Sequence, residues 1–321
     1  MNTTGYFSHP DCHRHEMGPG HPECPERLDA IEKQLLASGL GARLVHREAP
    51  LAAIGDLELA HDRMLVAAIR GLGEQLADDI LAGGPPYVQI DPDTGLNVHT
   101  WTAALRAAGA AIAATDAVIA GELHNAFCAV RPPGHHAERA KAMGFCFFNN
   151  IAIAAKHALE RHGLKRVAIV DFDVHHGNGT ADIVQGDARI LMVSFFQHPF
   201  YPFSGADLGA PNMVNLPVPA HTRGMDVREL IELMWMPRLD AFKPEIVFIS
   251  AGFDAHREDP LGQMNLTEAD YAWITGRIQD VARRHAKGRI VSALEGGYSP
   301  GALGRSVEAH LRVLADLQEQ P

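Results

Sequence analysis

Five short apolar runs that alternate with helical patterns constrain the fold more than any other feature of this sequence. One of them, Val167–Val170, consists of four consecutive apolar residues, as in a strand buried on both faces of a parallel sheet. Strands that alternate regularly with helices indicate a mainly parallel sheet between two layers of helices, a three-layer α/β/α fold. The five predicted strands are Ala126–Val130, Val167–Val170, Ile190–Ser194, Ile246–Ser250 and Ile290–Leu294.

Helical patterns account for most of the remaining chain. A helix starts at Pro25 and stops at Gly39, because the apolar residues between them recur at helical spacing. Residues before Pro25 are predicted to form an ordered surface loop, and residues 83–97 form a breaker-rich loop long enough to line a site. No linker-like change in composition divides the chain, so we expect one domain over residues 1–321. The other predicted helices cover residues 56–72, a segment near Leu76, and residues 101–120, 150–162, 227–240, 267–285 and 300–317.

Charge and composition narrow the range of partners and locations. The formal net charge is −11 and no basic block stands out, which argues against a nucleic-acid partner. The N-terminus lacks the apolar segment of a signal peptide, and no apolar run approaches the roughly 20 residues that span a bilayer. The four cysteines form no CxxC pair and no zinc-ribbon spacing. We therefore expect a cytoplasmic protein with reduced thiols and no membrane partner.

Titratable residues are concentrated directly after the strand Val167–Val170. Asp171, Asp173, His175 and His176 lie within six residues of one another. Side chains two residues apart project to the same side of an extended chain, so Asp173 and His175 can reach one ion with Asp171 behind them. Ligands of open α/β sheets bind beyond the carboxyl ends of strands, which is where these residues fall. A lone Asp or His here would indicate only a polar loop, whereas four such groups favour a functional site.

The other predicted strands also end in polar or aromatic residues, and one of them supplies a third candidate ligand. Asp173, His175 and Asp254 together offer two carboxylates and an imidazole and leave positions open for water and substrate, which is typical of a catalytic divalent ion. Zn²⁺ suits these ligands, although Fe²⁺ or another first-row ion can occupy them. Taken alone, Asp254 is equally consistent with a metal ligand and with a carboxylate that caps a turn.

Two histidines and a tyrosine at other strand ends are candidates for the chemistry. His135 and His136 follow two prolines and a glycine, a stiff approach that would hold adjacent imidazoles, and an unperturbed histidine pKa suits a general base. Asp171 is the available carboxylate to orient one of these rings. Tyr298 follows two glycines, and its hydroxyl could donate to a developing oxyanion. Surface histidines and a packing tyrosine are the alternatives for these residues taken singly.

Five sequence motifs occur in a characteristic order along the chain. They are HPECPERL, RPPGHHAERAKAMGFCFFNN, VDFDVHHGNGT, SAGFDAH and EGGYSP. This set resembles the motifs of the histone deacetylase superfamily, close to its class II-like bacterial deacetylases and acetylpolyamine amidohydrolases. The resemblance implies an arginase-like α/β fold, a single catalytic Zn²⁺, and hydrolysis of N-acetylated amines such as acetyl-lysine.

Position by position, the resemblance implies a role for each candidate residue. The matching residues are Asp173, His175 and Asp254 for the metal, His136 for the general base, His135 with Asp171 for its electrostatic partner, and Tyr298 for the tyrosine that polarises the carbonyl. Phe145 and Tyr201 match the two aromatics of the acyl-lysine tunnel, with Gly144 and Leu261 as further channel residues. The family also binds K⁺ near the zinc strand. In this chain that site would involve Asp171, Asp173, His175 and Ser194.

Four positions depart from the family pattern, and one of them is Tyr201, where the second tunnel aromatic is commonly Phe. Asn178 stands where class I members carry an Asp behind the second histidine, so His136 should lack a carboxylate partner, which favours its neutral form. Leu261 occupies the position of the acidic gatekeeper of a polyamine-specific member, which weakens the polyamine alternative. His99 lies where some class II-like members have a substrate-contacting Ser, so an unusual rim is expected.

Two other functions are less well supported. Gly177 and His256 stand where a two-metal arginase would carry extra aspartates, and neither supplies a carboxylate. A non-catalytic module that binds acylated amines would need no general base. We therefore expect a zinc-dependent deacetylase that acts on acetyl-lysine or a small acetylamine, with acetylpolyamines as the alternative substrate and oligomerisation left open.

Overall fold

A parallel eight-stranded sheet lies at the centre of the fold. The computed structural model describes residues 2–207 and 209–317. A two-stranded antiparallel pair, β3 (Val88–Gln89) with β4 (Gly95–Leu96), lies outside this sheet. In sheet order the eight strands are β2 (Val45–Glu48), β1 (Thr4–Ser8), β5 (Asn125–Cys128), β10 (Ile290–Leu294), β9 (Ile246–Ala251), β6 (Val167–Asp171), β7 (Ile190–Gln197) and β8 (Met213–Val218).

Helices pack around this sheet in two groups. In one group α5 packs against α6, and in the other α11 packs against both α2 and α10. A five-residue π-helical segment, Ile231–Trp235, joins α8 to α9. The helices are α1 (Asp11–Arg14), α2 (Glu26–Ala37), α3 (Ile54–Leu57), α4 (Arg63–Leu81), α5 (Thr100–Ala120), α6 (Asn150–Glu160), α7 (Asn178–Val184), α8 (Gly224–Leu230), α9 (Met236–Phe242), α10 (Glu268–His285) and α11 (Pro300–Leu314).

The three-layer α/β/α fold predicted from the sequence is confirmed, and the five predicted strands are five neighbours in the middle of the sheet. They correspond to β5, β10, β9, β6 and β7, whose residues are all buried. The outermost strands β2 and β8 were not predicted, because β2 is mostly exposed and β8 only partly buried, so neither contains a continuous apolar run. Neither was β1, whose buried sequence TGYFS is too polar to stand out.

Several predicted elements differ from the structure, most of them near the N-terminus. The residues before Pro25 form β1 and the short helix α1, not only a loop. The two helices predicted over residues 56–72 and near Leu76 are instead the single turn α3 and one long helix, α4. Two glycines inside α4 do not interrupt it, since helix propensity is a weak influence beside the packing of its buried apolar face. The helix predicted over residues 227–240 begins earlier, at Gly224.

Helix α5 is the longest in the described part of the chain, and most of its side chains are small and apolar. It is long and apolar enough to cross a membrane by length and composition, which corrects the expectation that no run of this chain reaches that length. However, 72% of its most apolar window is buried inside the fold. That degree of burial is typical of a core helix, and it follows from packing against β5, β10 and α6.

Gly109 marks the closest approach of α5 to the segment that follows β2. A Cβ at this position would lie 2.0 Å from the carbonyl oxygen of Pro50 and 2.9 Å from the backbone nitrogen of Ala52. The Ala52 N–H also donates a hydrogen bond to the Leu105 carbonyl of α5, 3.0 Å away. The absence of a side chain at residue 109 therefore lets this backbone pack directly on the helix.

We expect Gly109→Ala to lower the free energy of unfolding by about 2 kcal/mol, because the helix must move away from the Pro50 carbonyl. Helix propensity alone would favour the alanine by ~1 kcal/mol. Gly71→Ala in α4 is the matched control, since a Cβ there meets no atom within 4 Å. Urea denaturation measures both variants. Equal stability of the two variants would contradict the close contact at Gly109.

Candidate active site

The carboxyl ends of two neighbouring strands, β6 and β9, bring the three predicted metal ligands together. Nδ1 of His175 lies 3.0 Å from Oδ1 of Asp173 and 3.1 Å from Oδ2 of Asp254. All three side chains are buried, and their ligand atoms lie within 4.8 Å of one another. One imidazole nitrogen carries at most one hydrogen, so hydrogen bonding alone cannot satisfy both carboxylates. Ligands about 2.0–2.2 Å from a tetrahedral Zn²⁺ are separated by roughly 3.3 Å, close to the spacing found here.

The electrostatics of this cluster also fit a cation. Burial, together with the neighbouring Asp173 carboxylate, raises the pKa of Asp254 to about 7. The buried carboxylates of Asp173 and Asp254 repel each other unless positive charge lies between them. Two carboxylate oxygens and one imidazole nitrogen are a donor set that Zn²⁺ and other first-row divalent ions accept. The residues present therefore fit a divalent metal.

Backbone groups hold both carboxylates in position. The Gly296 N–H donates to Oδ2 of Asp173 at 2.8 Å, and the Val174 N–H donates to Oδ1 of Asp254 at 2.9 Å. A Cβ at Gly296 would lie 2.0 Å from Oδ2 of Asp254, so only glycine allows the backbone after β10 to approach this closely. Such outer contacts fix the orientation of ligand side chains.

The two adjacent histidines differ in their partners, and His135 is the one that faces carboxylates. Its Nδ1 lies 3.0 Å from Oδ2 of Asp171, and its Nε2 lies 3.8 Å from Oδ2 of Asp173. Burial opposes the charged form, but Asp173 and Asp171 together raise the pKa of His135 well above its ordinary value. The pairing of His135 with Asp171 expected from the sequence is present in the structure.

His136 instead faces the amide of Asn178. Its Nδ1 lies 2.7 Å from Oδ1 of Asn178, and Nδ2 of Asn178 donates to the Glu138 carboxylate at 2.7 Å. Because that carboxylate can only accept, the amide oxygen must face His136, which therefore donates from Nδ1 and leaves Nε2 unprotonated. Burial and the positive charge of His135 lower the pKa of His136 well below its ordinary value. Glu138 was not singled out from the sequence, although it belongs to the same GHHAE segment.

A cavity of about 360 Å³ opens above these groups, and all four predicted channel residues line it: Gly144, Phe145, Tyr201 and Leu261. The Tyr201 ring lies edge-on to that of His136, with centroids 5.2 Å apart. The reactive candidates His136, His175 and Tyr298 lie in the same lining. The candidates for metal binding and proton transfer therefore line the same channel as the predicted channel residues.

The lining also contains residues that sequence reasoning missed. Phe200 stacks on the imidazole of His175, with centroids 5.4 Å apart and ring planes at 17°. Asp93 belongs to the loop 83–97 that was expected to line a site, but it was not named individually. His99 does not belong to this lining and lies instead in a separate depression beside Arg14. The expectation that His99 gives the channel an unusual rim therefore stays a prediction.

Glu295 is a buried carboxylate whose hydrogen bonds connect the loop that contains His135 and His136, the histidine loop, to the sheet. It accepts hydrogen bonds from the backbone N–H groups of Gly134 and His135, at 2.6 and 3.0 Å, and from the Ser250 hydroxyl at 3.0 Å. Burial raises the pKa of Glu295 to about 7. Glu295 is the first residue of the EGGYSP motif, so the sequence singles it out. Its hydrogen-bond partners could not be predicted, because they depend on β5, β10 and β9 being adjacent in the sheet.

Arg27 is a buried side chain that holds the loop containing Tyr298 in place. It donates to the Gly297 carbonyl at 2.7 Å, and its guanidinium carbon lies 4.9 Å from the centroid of the Tyr298 ring. Glu23 accepts from Arg27 at 3.0 Å and from Arg131 at 2.7 Å, so one buried carboxylate joins both arginines. The HPECPERL motif contains Glu23 and Arg27, yet nothing in the sequence shows that they reach residue 297.

Comparison with known proteins places this geometry in a family. A family model described as the histone deacetylase domain matches residues 21–314. The histone deacetylase-like amidohydrolase of Pseudomonas aeruginosa is 40% identical over 290 residues, which cover 87% of this chain and 73% of that protein. The polyamine deacetylase HDAC10 of Mus musculus is 40% identical over 299 residues, 89% of this chain and 43% of that protein. The solved HDA15 HD domain superposes with a TM-score of 0.90 at 34% identity, covering 98% of this chain and 88% of that one.

The fold and the relatives define a hydrolase of the arginase and deacetylase fold. The chain belongs to the histone deacetylase family, and it is a hydrolytic deacetylase. Membership of this family implies a metal cofactor and acylated amines as substrates. The family resemblance stated from the motifs is thus confirmed.

The contact between His136 and Asn178 makes a prediction about pH. In Glu138→Gln, the Gln oxygen still accepts from Asn178, so the pKa of His136 should stay low. Adding Asn178→Asp to that background places a carboxylate 2.7 Å from His136 and should raise its pKa by about 1 unit or more. NMR titration of the histidine ring signals measures this, and the acid limb of kcat/KM should move to higher pH by the same amount. An unchanged limb in the double variant would exclude His136 as the titrating base.

Proposed function

We propose that this chain removes acetyl groups from N-acylated amines such as acetyl-lysine, with Zn²⁺ or Fe²⁺ held by Asp173, His175 and Asp254. The observation that carries this proposal is the convergence of those three ligands with His136 and Tyr298 at one channel. A site that only bound acylated amines would not need an unprotonated imidazole beside the ligand cluster.

The chain's own residues supply the proton transfers. A divalent ion in this site would polarise the acyl carbonyl and lower the pKa of a water molecule. Nε2 of His136, unprotonated and directed away from Asn178, accepts a proton from the attacking water. His135 stays positively charged beside Asp171, which favours negative charge developing nearby. A protonated histidine then returns a proton to the leaving amine.

Tyr298 supports the developing oxyanion in this mechanism. Burial raises the pKa of its phenol well above the ordinary value, so the hydroxyl stays protonated and can donate a hydrogen bond. The ring is held by Phe145 edge-on at 5.9 Å and by the guanidinium of Arg27 on its face. Its backbone N–H donates to the Asp259 carboxylate at 2.6 Å. These contacts reduce the reorganisation needed when the oxyanion forms.

The channel supports acetyl-lysine, with an acetylpolyamine as the second candidate. The aromatic walls of Phe145, Phe200 and Tyr201 suit an extended alkyl chain, and Leu261 leaves that part of the wall apolar. Asp93 favours the alternative, because its carboxylate lines the same cavity and could pair with a secondary ammonium group of a polyamine. The mouse relative is named a polyamine deacetylase.

Two further parts of the proposal concern ions and location. Within the described part of the chain the buried Ser194 hydroxyl has no hydrogen-bond partner, which supports a K⁺ site that also involves Asp171, Asp173 and His175. We also retain the cytoplasm as the location. The composition and the bacterial relatives are consistent with it.

Metal-reconstituted protein should release acetate from an acetyl-lysine peptide with a higher kcat/KM than from N-acetylspermidine, because Leu261 gives the wall no acidic gatekeeper. Chelator-treated protein should release none from either substrate. A higher kcat/KM for acetylspermidine would reverse the order of the two substrates. Binding of both without product under saturating Zn²⁺ would indicate a binding module and contradict the hydrolase.

Replacing Tyr298 by Phe should reduce kcat by about a hundredfold or more, as expected for the loss of one oxyanion donor. Tyr87→Phe is the matched control, because the Tyr87 hydroxyl donates to exposed Glu16 and lies outside the channel. Circular dichroism verifies that both variants fold. Undiminished turnover of Tyr298→Phe would remove Tyr298 from the mechanism.

A further inference from the structure

A second cluster of metal-binding side chains lies between helices α5 and α6. Asp116 belongs to α5, His157 to the last turns of α6, and His162 to the turn that follows. Nε2 of His157 lies 2.7 Å from Oδ1 of Asp116, and Nε2 of His162 lies 2.6 Å from the same oxygen. The two imidazole centroids are 5.3 Å apart.

We propose that Asp116, His157 and His162 bind a second divalent transition-metal ion, of which Zn²⁺ is the representative, at the surface of the protein. Their potential ligand atoms lie within 4.8 Å of one another. Two imidazoles and one carboxylate are ligands that Zn²⁺, Ni²⁺ and Cu²⁺ share. The half-exposed Asp116 side chain leaves room for water to complete the coordination.

The buried far side of His157 is an independent indication of a metal. Nδ1 of this ring is buried and has no hydrogen-bond partner among the residues that the structure describes, and Oδ1 of Asp56 lies 4.0 Å away. If the ring only donated from Nε2 to Asp116 in its neutral form, Nδ1 would be a bare acceptor facing another acceptor. Metal binding at Nε2 places the hydrogen on Nδ1, which then points toward Asp56. A carboxylate behind a ligating histidine is the usual outer contact of such sites.

The ligand spacing is consistent with modest rearrangement on binding. Ligands of a tetrahedral Zn²⁺ are roughly 3.3 Å apart, so the distance from each imidazole nitrogen to Oδ1 of Asp116 must increase by about 0.6 Å. His162 can move because it lies in a turn beyond the helix, next to Gly163 at φ +69°. Arg161 is the cation next to this cluster, and it faces Asp56 at 3.7 Å instead of Asp116.

This peripheral site is separate from the candidate active site. Helix α6 begins at Asn150, whose side chain donates to the Pro132 carbonyl beside the histidine loop. The helix has 11 residues and is therefore about 16 Å long, so its two ends lie far apart. An ion at the carboxyl end of α6 would join α6 to α5 and stabilise the native state without contacting substrate.

Counting bound zinc tests the peripheral site. Tag-free protein dialysed against micromolar free Zn²⁺ should carry two equivalents per chain by inductively coupled plasma mass spectrometry. His162→Ala and Asp116→Asn should each carry one equivalent and keep wild-type kcat/KM. In wild-type protein whose active site is filled with Zn²⁺, added Co²⁺ should produce a visible absorption band that both variants lack.

His285→Ala is the matched control, because it removes a single His–Asp contact of similar length, 2.8 Å to Asp240, without a second histidine. This variant should retain two equivalents. Thermal melts without added metal verify that all variants fold, and Asp116→Asn preserves side-chain volume. Equal zinc content in the wild type and in either His162→Ala or Asp116→Asn would overturn the peripheral site, whatever the active site binds.

Discussion

Two buried carboxylates that face one imidazole are the interaction on which the rest of this structure depends. Asp173 and Asp254 follow adjacent strands, and the single hydrogen of His175 Nδ1 cannot satisfy both carboxylates. Such a cluster is electrostatically unfavourable in a protein interior unless a cation occupies it. The parallel order of β10, β9 and β6 produces the cluster, because it brings their carboxyl ends to one edge of the sheet.

A network of buried charges fixes the loops around that cluster. Glu23 joins Arg27 to Arg131, which leads into the histidine loop, while Arg27 reaches the backbone before Tyr298. Buried ion pairs contribute little net stability compared with apolar packing, but breaking one leaves an uncompensated charge. The network therefore favours one arrangement of loops that come from opposite ends of the chain. Preorganisation of this kind keeps reactive groups aligned before substrate binds.

The central strands and the proximity of Asp173, His175 and Asp254 were predictable because both leave local signals in the sequence. Consecutive apolar residues mark strands buried on both faces, and their carboxyl ends mark the site. The edge strands β2 and β8 were missed because strands that are exposed or only partly buried are not continuously apolar. Glu138, Phe200 and Asp93 were missed for another reason. Their roles depend on contacts between segments distant in sequence, such as the stacking of Phe200 on His175, which no local pattern encodes.

The central claim is that Asp173, His175 and Asp254 share one cation, and anomalous X-ray diffraction from metal-reconstituted crystals tests it most directly. Data collected at the zinc absorption edge should place an anomalous peak about 2 Å from Nδ1 of His175 and from one oxygen of each carboxylate. A well-ordered active site without a peak between these three side chains, in crystals that deacetylate an acetyl-lysine peptide, would contradict the account.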